Sequence, residues 1–266
     1  MKKNATLLLF ILFISILHAG NAAKTGDLQY IQNNGQWQQA ILFSTPVYGG
    51  KFYMEKNCFT WSFSNLSELS NYKHNGNNVG LEDFIIKKHA FKTHFVNSNP
   101  SVEVNGENKF DNYYNYFIGN DQSKWKGEVP AFGAVRYKEL YPGIDLLVYS
   151  QSNSMKYDLI LAPGAIASNI EFNYEGLSDI RINDGTLELI TSINTIVEIK
   201  PVAYQVISGI KINVACNFKL TGNSIQFEFP DDYNHDYQLT IDPATLIFAS
   251  YSGSTADNWG YSATYD

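Results

Sequence analysis

Residues 111–165 read DNYYNYFIGNDQSKWKGEVPAFGAVRYKELYPGIDLLVYSQSNSMKYDLILAPGA, and this stretch decides the fold. Tyr113, Tyr114, Tyr116 and Phe117 crowd ahead of a turn signal at Gly119-Asn120-Asp121, and Trp125, Phe132 and Tyr137 ahead of another at Pro142-Gly143. Ile144 to Tyr149 and Met155 to Leu161 follow as two strand-length runs joined by the polar Ser150 to Ser154 segment. Aromatic and β-branched residues suit a pleated, half-buried surface, so the stretch reads as a framework of strands and turns, not as an active site.

The same pattern extends in both directions. Upstream, Gln32-Asn33-Asn34-Gly35-Gln36-Trp37 is a polar turn closed by an aromatic anchor, Ile41 to Phe43 a short strand, and Gly49-Gly50 a turn. Phe52 and Met54, then Phe59, Trp61 and Phe63 around Lys56-Asn57, predict a hairpin. A polar loop is expected from Ser64 to Gly80, an alternating strand from His89 to Val96 and a turn at Asn105-Gly106. Downstream, strands are expected around Asp184-Gly185, from Val202 to Ile207, from Ile210 to Leu220, over Ile225 to Phe229 and over Tyr237 to Ile241. No apolar stripe of period 3.6 is found in the mature chain, so helix should be very scarce. Many short strands with evenly spaced turns predict an all-β, two-sheet, sandwich-like domain.

Lys2 and Lys3, the apolar Leu7 to Leu17 block and the small residues Ala19, Gly20, Ala22 and Ala23 have the layout of a secretory leader, expected over residues 1–23. No later segment is long and apolar enough for a transmembrane helix, so the expected location is extracellular or the outer cell surface. The chain has 19 basic and 26 acidic residues, net −7, and losing Lys2 and Lys3 takes it to −9. That balance argues against nucleic acid and anionic membrane as partners. Cys58 and Cys216 are the two cysteines, in a compartment that permits a disulfide. Such a bridge would contribute about 4–5 kcal/mol in the chain-entropy model. Cys216 also falls in the apolar register of Ile210, Ile212, Val214, Phe218 and Leu220, where a free thiol serves as a small buried hydrophobe.

Chemistry-bearing residues are sparse. Asp145 and Asp158 face each other if their hairpin is centred on Gln151-Ser152, and a facing carboxylate pair needs a shared proton, a cation or a basic neighbour. Such pairs serve as acid and nucleophile in retaining glycosidases, while a one-residue register shift parts them to opposite faces. His18, His74, His89, His94 and His235 show no metal-ligand spacing, and HExxH, GxSxG, Walker and CxxC motifs are absent. No catalytic, cofactor or metal residue is therefore assigned. The aromatic cluster of Tyr113, Tyr114, Tyr116, Trp125, Phe132 and Tyr137 has two readings, sandwich core or carbohydrate platform.

Several segments in fixed order carry a family resemblance: IQNNGQW (31–37), YYNYFIGND (113–121), VRY (135–137), LYPGID (140–145), YDLILAPGA (157–165), KPVAYQ (200–205) and IDP (241–243). The chain resembles the N-terminal domain of unknown function of secreted Bacteroidetes-type proteins that carry beta-propeller (SBBP) repeats. Those proteins often end in gliding-motility-associated or type IX secretion sorting domains. Residues 250–260 and 263–266 look like the opening of one such repeat, which implies a domain over 24–245 and a truncated repeat over 246–266, poorly packed or borrowed as an edge strand. Cys58 stands where the family often has glycine, so a type I′ turn there would be strained. The resemblance implies a non-catalytic adhesion, display or assembly module whose partners are the downstream repeats, a surface protein or a polysaccharide. A scaffold that only caps the first repeat is a variant of this expectation. The alternative is a glycan-binding or glycan-acting domain using the aromatics with Asp145 and Asp158.

Overall fold

The computed structural model describes residues 28–65, 86–151, 154–243 and 246–249, the last four by backbone alone. The leader, the polar loop beyond residue 65 and the repeat-like residues from 250 onward lie outside them. The first strands are β1 (Tyr30–Gln32), β2 (Phe43–Val47), β3 (Gly50–Met54), β4 (Cys58–Ser64) and β5 (Lys88–Phe95). Two long strands follow, β6 (Glu103–Tyr116) and β7 (Lys126–Tyr141), then β8 (Ile144–Gln151), β9 (Ser154–Leu161) and β10 (Phe172–Glu175). The rest are β11 (Asp179–Asn183), β12 (Thr186–Ile190), β13 (Thr195–Glu198), β14 (Pro201–Ile207) and β15 (Ile210–Val214). The last are β16 (Asn217–Thr221), β17 (Ser224–Glu228), β18 (Leu239–Pro243) and β19 (Leu246–Ala249). Helix among the described residues is confined to single 3-10 turns at Gln122–Lys124 and Ala167–Asn169.

The main sheet runs β15-β14-β18-β9-β8-β7-β1-β2-β3-β4-β5-β10-β17-β16, with β6 paired to β7 off this path. Its two ends, β15 and β16, are consecutive strands joined only by Ala215 and Cys216. Two residues span roughly 7 Å of extended chain, so the sheet must curl back until its ends meet. β7 makes the turn from one layer to the other: Ala131 and Phe132 pair with β1, and Ala134 to Tyr141 with β8. Rings of the two layers meet in the core, Tyr137 with Phe59 and Phe95 at 5.9 and 5.8 Å and Tyr157 with Phe172 at 6.1 Å. The result is a sandwich-like all-β fold. A smaller sheet, β11-β12-β13-β19, turns Leu187, Leu189 and Ile196 into the same core. β19 is its outer strand, antiparallel to β13.

Four local expectations need correction. Gly106 is no turn but an interior residue of β6, where a Cβ would stand 2.4 Å from the Phe132 ring; glycine is there because a ring lies across the backbone. The run Ile210 to Leu220 is two strands, since Ala215-Cys216 crosses from one end of the main sheet to the other. Consequently Ile210 and Ile212 are 66% and 44% exposed, while Cys216 and Phe218 are buried as the alternation requires. The β3–β4 turn has no residue at positive φ, so Cys58 sits there without strain; Glu55 N–H instead donates to Cys58 O at 3.0 Å. Finally, the β8–β9 register pairs Gln151 with Ser154, not the register that sets Asp145 opposite Asp158.

Candidate interaction surface

The β6–β7 hairpin has the largest exposed aromatic tip among the described residues. Irregularities in its pairing, with Asn108 and Glu128 at φ 55° and 53°, re-aim successive side chains. Tyr114 and Tyr116 turn inward onto a small second core of Ile31, Val129 and Ala131, where Tyr116 meets Trp37 edge-on at 5.4 Å. Asn33 fixes Trp37 there: its Nδ2 donates to the carbonyls of Gln38 and Ile41 at 2.9 and 2.7 Å, and its Oδ1 accepts from the Trp37 amide. Tyr113, Phe117 and Ile118 are left outside, 57%, 61% and 75% exposed, and Trp125 joins them.

The tip is anchored despite its exposure. Trp125 Nε1 donates to Gly119 O at 3.1 Å, and the indole lies 5.6 Å from the Phe117 ring. Asp121 caps the 3-10 turn by accepting from Ser123 N and Oγ at 3.1 and 2.7 Å, which holds its carboxyl below the usual range. Rings held in place by their own loop lose little freedom on binding, which is how aromatic anchors serve at interfaces. Of the six aromatics considered as one platform, Tyr137 is fully buried and Phe132, Tyr114 and Tyr116 half-buried; Tyr113 and Trp125 remain available.

Asp145 and Asp158 do share a face, but diagonally: Asp145 is opposite Ile160 and Asp158 opposite Leu147. Each has its own partners. Asp145 Oδ1 accepts the Glu139 amide at 2.8 Å, at the irregularity where β7 carries Glu139 at φ 51°, and Oδ2 meets Arg136 Nη1 at 3.4 Å. It therefore satisfies a backbone donor freed by a bulge. Asp158 accepts from Tyr149 Oη at 3.2 Å. Burial first, and the Asp242 charge second, push its carboxyl up to about 6. Lys156 Nζ stands 2.8 Å from Asp242 Oδ1, a buried oxygen with no well-aligned hydrogen bond. Asp158→Asn should therefore raise stability at pH 8 relative to pH 4 when compared with wild type, read by urea unfolding at both pH values. The folded-state carboxyl holds its proton above the unfolded value, so the wild type loses stability as pH rises from about 4 to 6. Identical pH dependence in the two proteins would refute this.

The described histidines also have partners. His89 Nδ1 accepts the Ser192 amide at 3.2 Å, which leaves Nε2 to donate to Gly176 O at 2.7 Å and ties β5 to the loops around the small sheet. His94 meets Glu175 and His235 meets Asp232, at 2.7 and 3.1 Å. Cys58 and Cys216 are free and buried, and burial pushes the Cys58 thiol up to about 11. One group went unseen in the sequence: Glu198, 4% exposed, which accepts from Tyr157 Oη at 3.0 Å. Its signal was present in the period-two register of β13, where Glu198 follows the buried Ile196 on the same side. Among the described residues no three His, Cys, Asp or Glu side chains gather as a metal site.

The model of one protein family matches residues 30–244, the whole of the main sheet from β1 to β18. The chain belongs to that family, Domain of unknown function (DUF7948). No curated protein and no solved structure matches it. The matched range takes in the anchored tip and β11 to β13 of the small sheet, and ends before β19.

Proposed function

We propose that this member of DUF7948 is a non-catalytic, exported module that acts by contact, presenting the β6–β7 tip to a surface protein or polysaccharide. The observation that carries the reading is the anchored, exposed set of Tyr113, Phe117, Ile118 and Trp125. Two features support it: the leader-like residues 1–23 and the resemblance to secreted Bacteroidetes-type proteins with propeller repeats and type IX sorting domains. In that setting the domain would serve adhesion, display or assembly ahead of the repeats. A polysaccharide is favoured within this reading by the exposure of the aromatic side chains Tyr113, Phe117 and Trp125 together at the tip. A glycan-acting role for Asp145 and Asp158 draws less support, because both carboxylates are engaged.

The test has two arms. The purified chain should turn over none of a broad panel of glycosides and peptides. In affinity electrophoresis through polysaccharide gels and in pull-downs of cell-surface protein, Phe117→Ala with Trp125→Ala should weaken retention at least about tenfold, as loss of anchor rings does. Its melting temperature should stay unchanged. Turnover on the panel, or retention of the double variant equal to wild type, would sink the proposal.

A further inference from the structure

The main sheet ends on one side at β15, whose only ladder partner among the described residues is β14. Sheet edges are usually blunted by charges, proline or bulges. β6 follows that rule, with two irregularities and Lys109 on its length, and β16 carries the Lys219–Glu228 ion pair. β15 reads Ile210-Lys211-Ile212-Asn213-Val214, with regular pairing throughout and no proline. Its one charge is drawn off the edge, since Lys211 Nζ lies 3.6 Å over the Tyr204 ring of β14.

The hydrogen-bonding direction of each residue follows from the turn. Ser208 and Gly209, at φ 51° and 78°, form a two-residue hairpin turn, and Ile207 pairs with Ile210 next to it. In such a hairpin the flanking pair is hydrogen-bonded and bonded pairs alternate with unbonded ones. Ile210, Ile212 and Val214 therefore spend their amides on β14, and Lys211 and Asn213 point theirs out of the sheet. The apolar row runs from Val214, packed against the core, through Ile212 and Ile210 into solvent.

We propose that β15 is a self-association edge at which a second copy of this chain adds its own β15 antiparallel, with the two-fold axis at Ile212. That register opposes Lys211 to Asn213 of the other copy, so their outward amides and carbonyls bond reciprocally and no like charges meet. Ile212 opposes Ile212 across the axis, Ile210 opposes Val214, and the apolar rows of two sandwiches become one. Five-residue edges bury less than a standard interface, so the dimer belongs to the weak, concentration-dependent class. The inference is independent of the hairpin tip.

Sedimentation velocity on the purified chain from about 1 μM to about 1 mM, which spans weak dissociation constants, should show a monomer–dimer equilibrium. Hydrogen exchange should slow at the Lys211 and Asn213 amides as concentration rises, while the Ile210 and Ile212 amides are protected throughout. Asn213→Pro removes one outward amide and Ile212→Lys sets two ammonium groups against each other. Each should weaken association at least tenfold, with circular dichroism unchanged, and Phe117→Ala with Trp125→Ala should leave it intact. A monomer at every concentration, wild-type association in both β15 variants, or loss of the dimer in the tip variant instead would overturn the proposal.

Discussion

Gly50→Ala is expected to destabilise the protein by about 3 kcal/mol or more, the cost of an overpacked site whose neighbours cannot yield. A Cβ at this position would stand 2.0 Å from the Ser62 carbonyl oxygen and 3.0 Å from the Phe63 Cα. Both obstacles are backbone in the middle of a meander. Gly50 pairs with Val47 on one side and Phe63 on the other, and Ser62 pairs onward with Ala90 of β5. Relieving the clash means parting β3 from β4, and Phe63 cannot follow freely because its buried ring stacks with Trp61 and Phe91 at 6.3 and 6.4 Å. Thermal melts should show a loss of roughly 6–12 °C at this chain length. Gly127→Ala is the control, since its Cβ would meet only Asn115 Oδ1 at 3.3 Å, the far end of a movable side chain. Equal melting temperatures for the two variants would refute the account.

What was legible in the sequence is what period-two alternation controls. Phe59, Trp61 and Phe63 alternate, and all are buried; Tyr157, Leu159 and Leu161 behave the same way. Long-range placement is not written in that signal. Ile210 and Cys216 share one alternating run, yet the chain crosses between sheet ends within it, and a local pattern carries no mark of which neighbour each half will find. Register failed for a related reason: the Ser150 to Ser154 segment is uniformly polar, so nothing in it locates the turn. Gly106 looked like a turn because glycine has two uses, positive φ and close approach, and only the Phe132 ring reveals which one applies. In the candidate surface, the aromatic density was visible and its division was not. The same residue type is core at Tyr137 and surface at Tyr113, and the bulges that separate them leave no local signature.

Glu198→Gln should make the protein more resistant to urea at pH 8 while leaving it nearly unchanged at pH 4. The carboxyl enters the core from β13 because strand alternation places it beside Ile196, and the gap it faces is lined by Phe59, Trp61, Phe172 and Tyr174. That gap of about 10 Å³ has room for one water at most. Burial pushes Glu198 up to about 7, and the Tyr157 hydroxyl, which favours the charged form, only partly offsets this. The other titratable groups facing it, Tyr157 and Tyr174, are held neutral by the same burial and supply no positive charge. The sign is fixed by proton counting. Between the unfolded value of 4.5 and the folded value of about 7 the native state binds a proton that the unfolded state has released. Stability is therefore full below about 4.5, falls through that window and is flat above it, for a total of ~3 kcal/mol. Glutamine keeps the acceptor for Tyr157 and has no charge to bury, so the variant should lose the Glu198 share of this fall and keep only the part below about pH 6 that Asp158 causes. Urea midpoints at pH 4, 6 and 8 for both proteins decide the matter: parallel curves would mean that Glu198 ionises freely or is stabilised by a cation. Because the carboxyl belongs to the small sheet and the hydroxyl to β9, the same ionisation should loosen the small sheet first. Hydrogen exchange in β12 and β13 should then quicken between pH 6 and 8, after correction for intrinsic rates, while exchange in β4 and β5 holds.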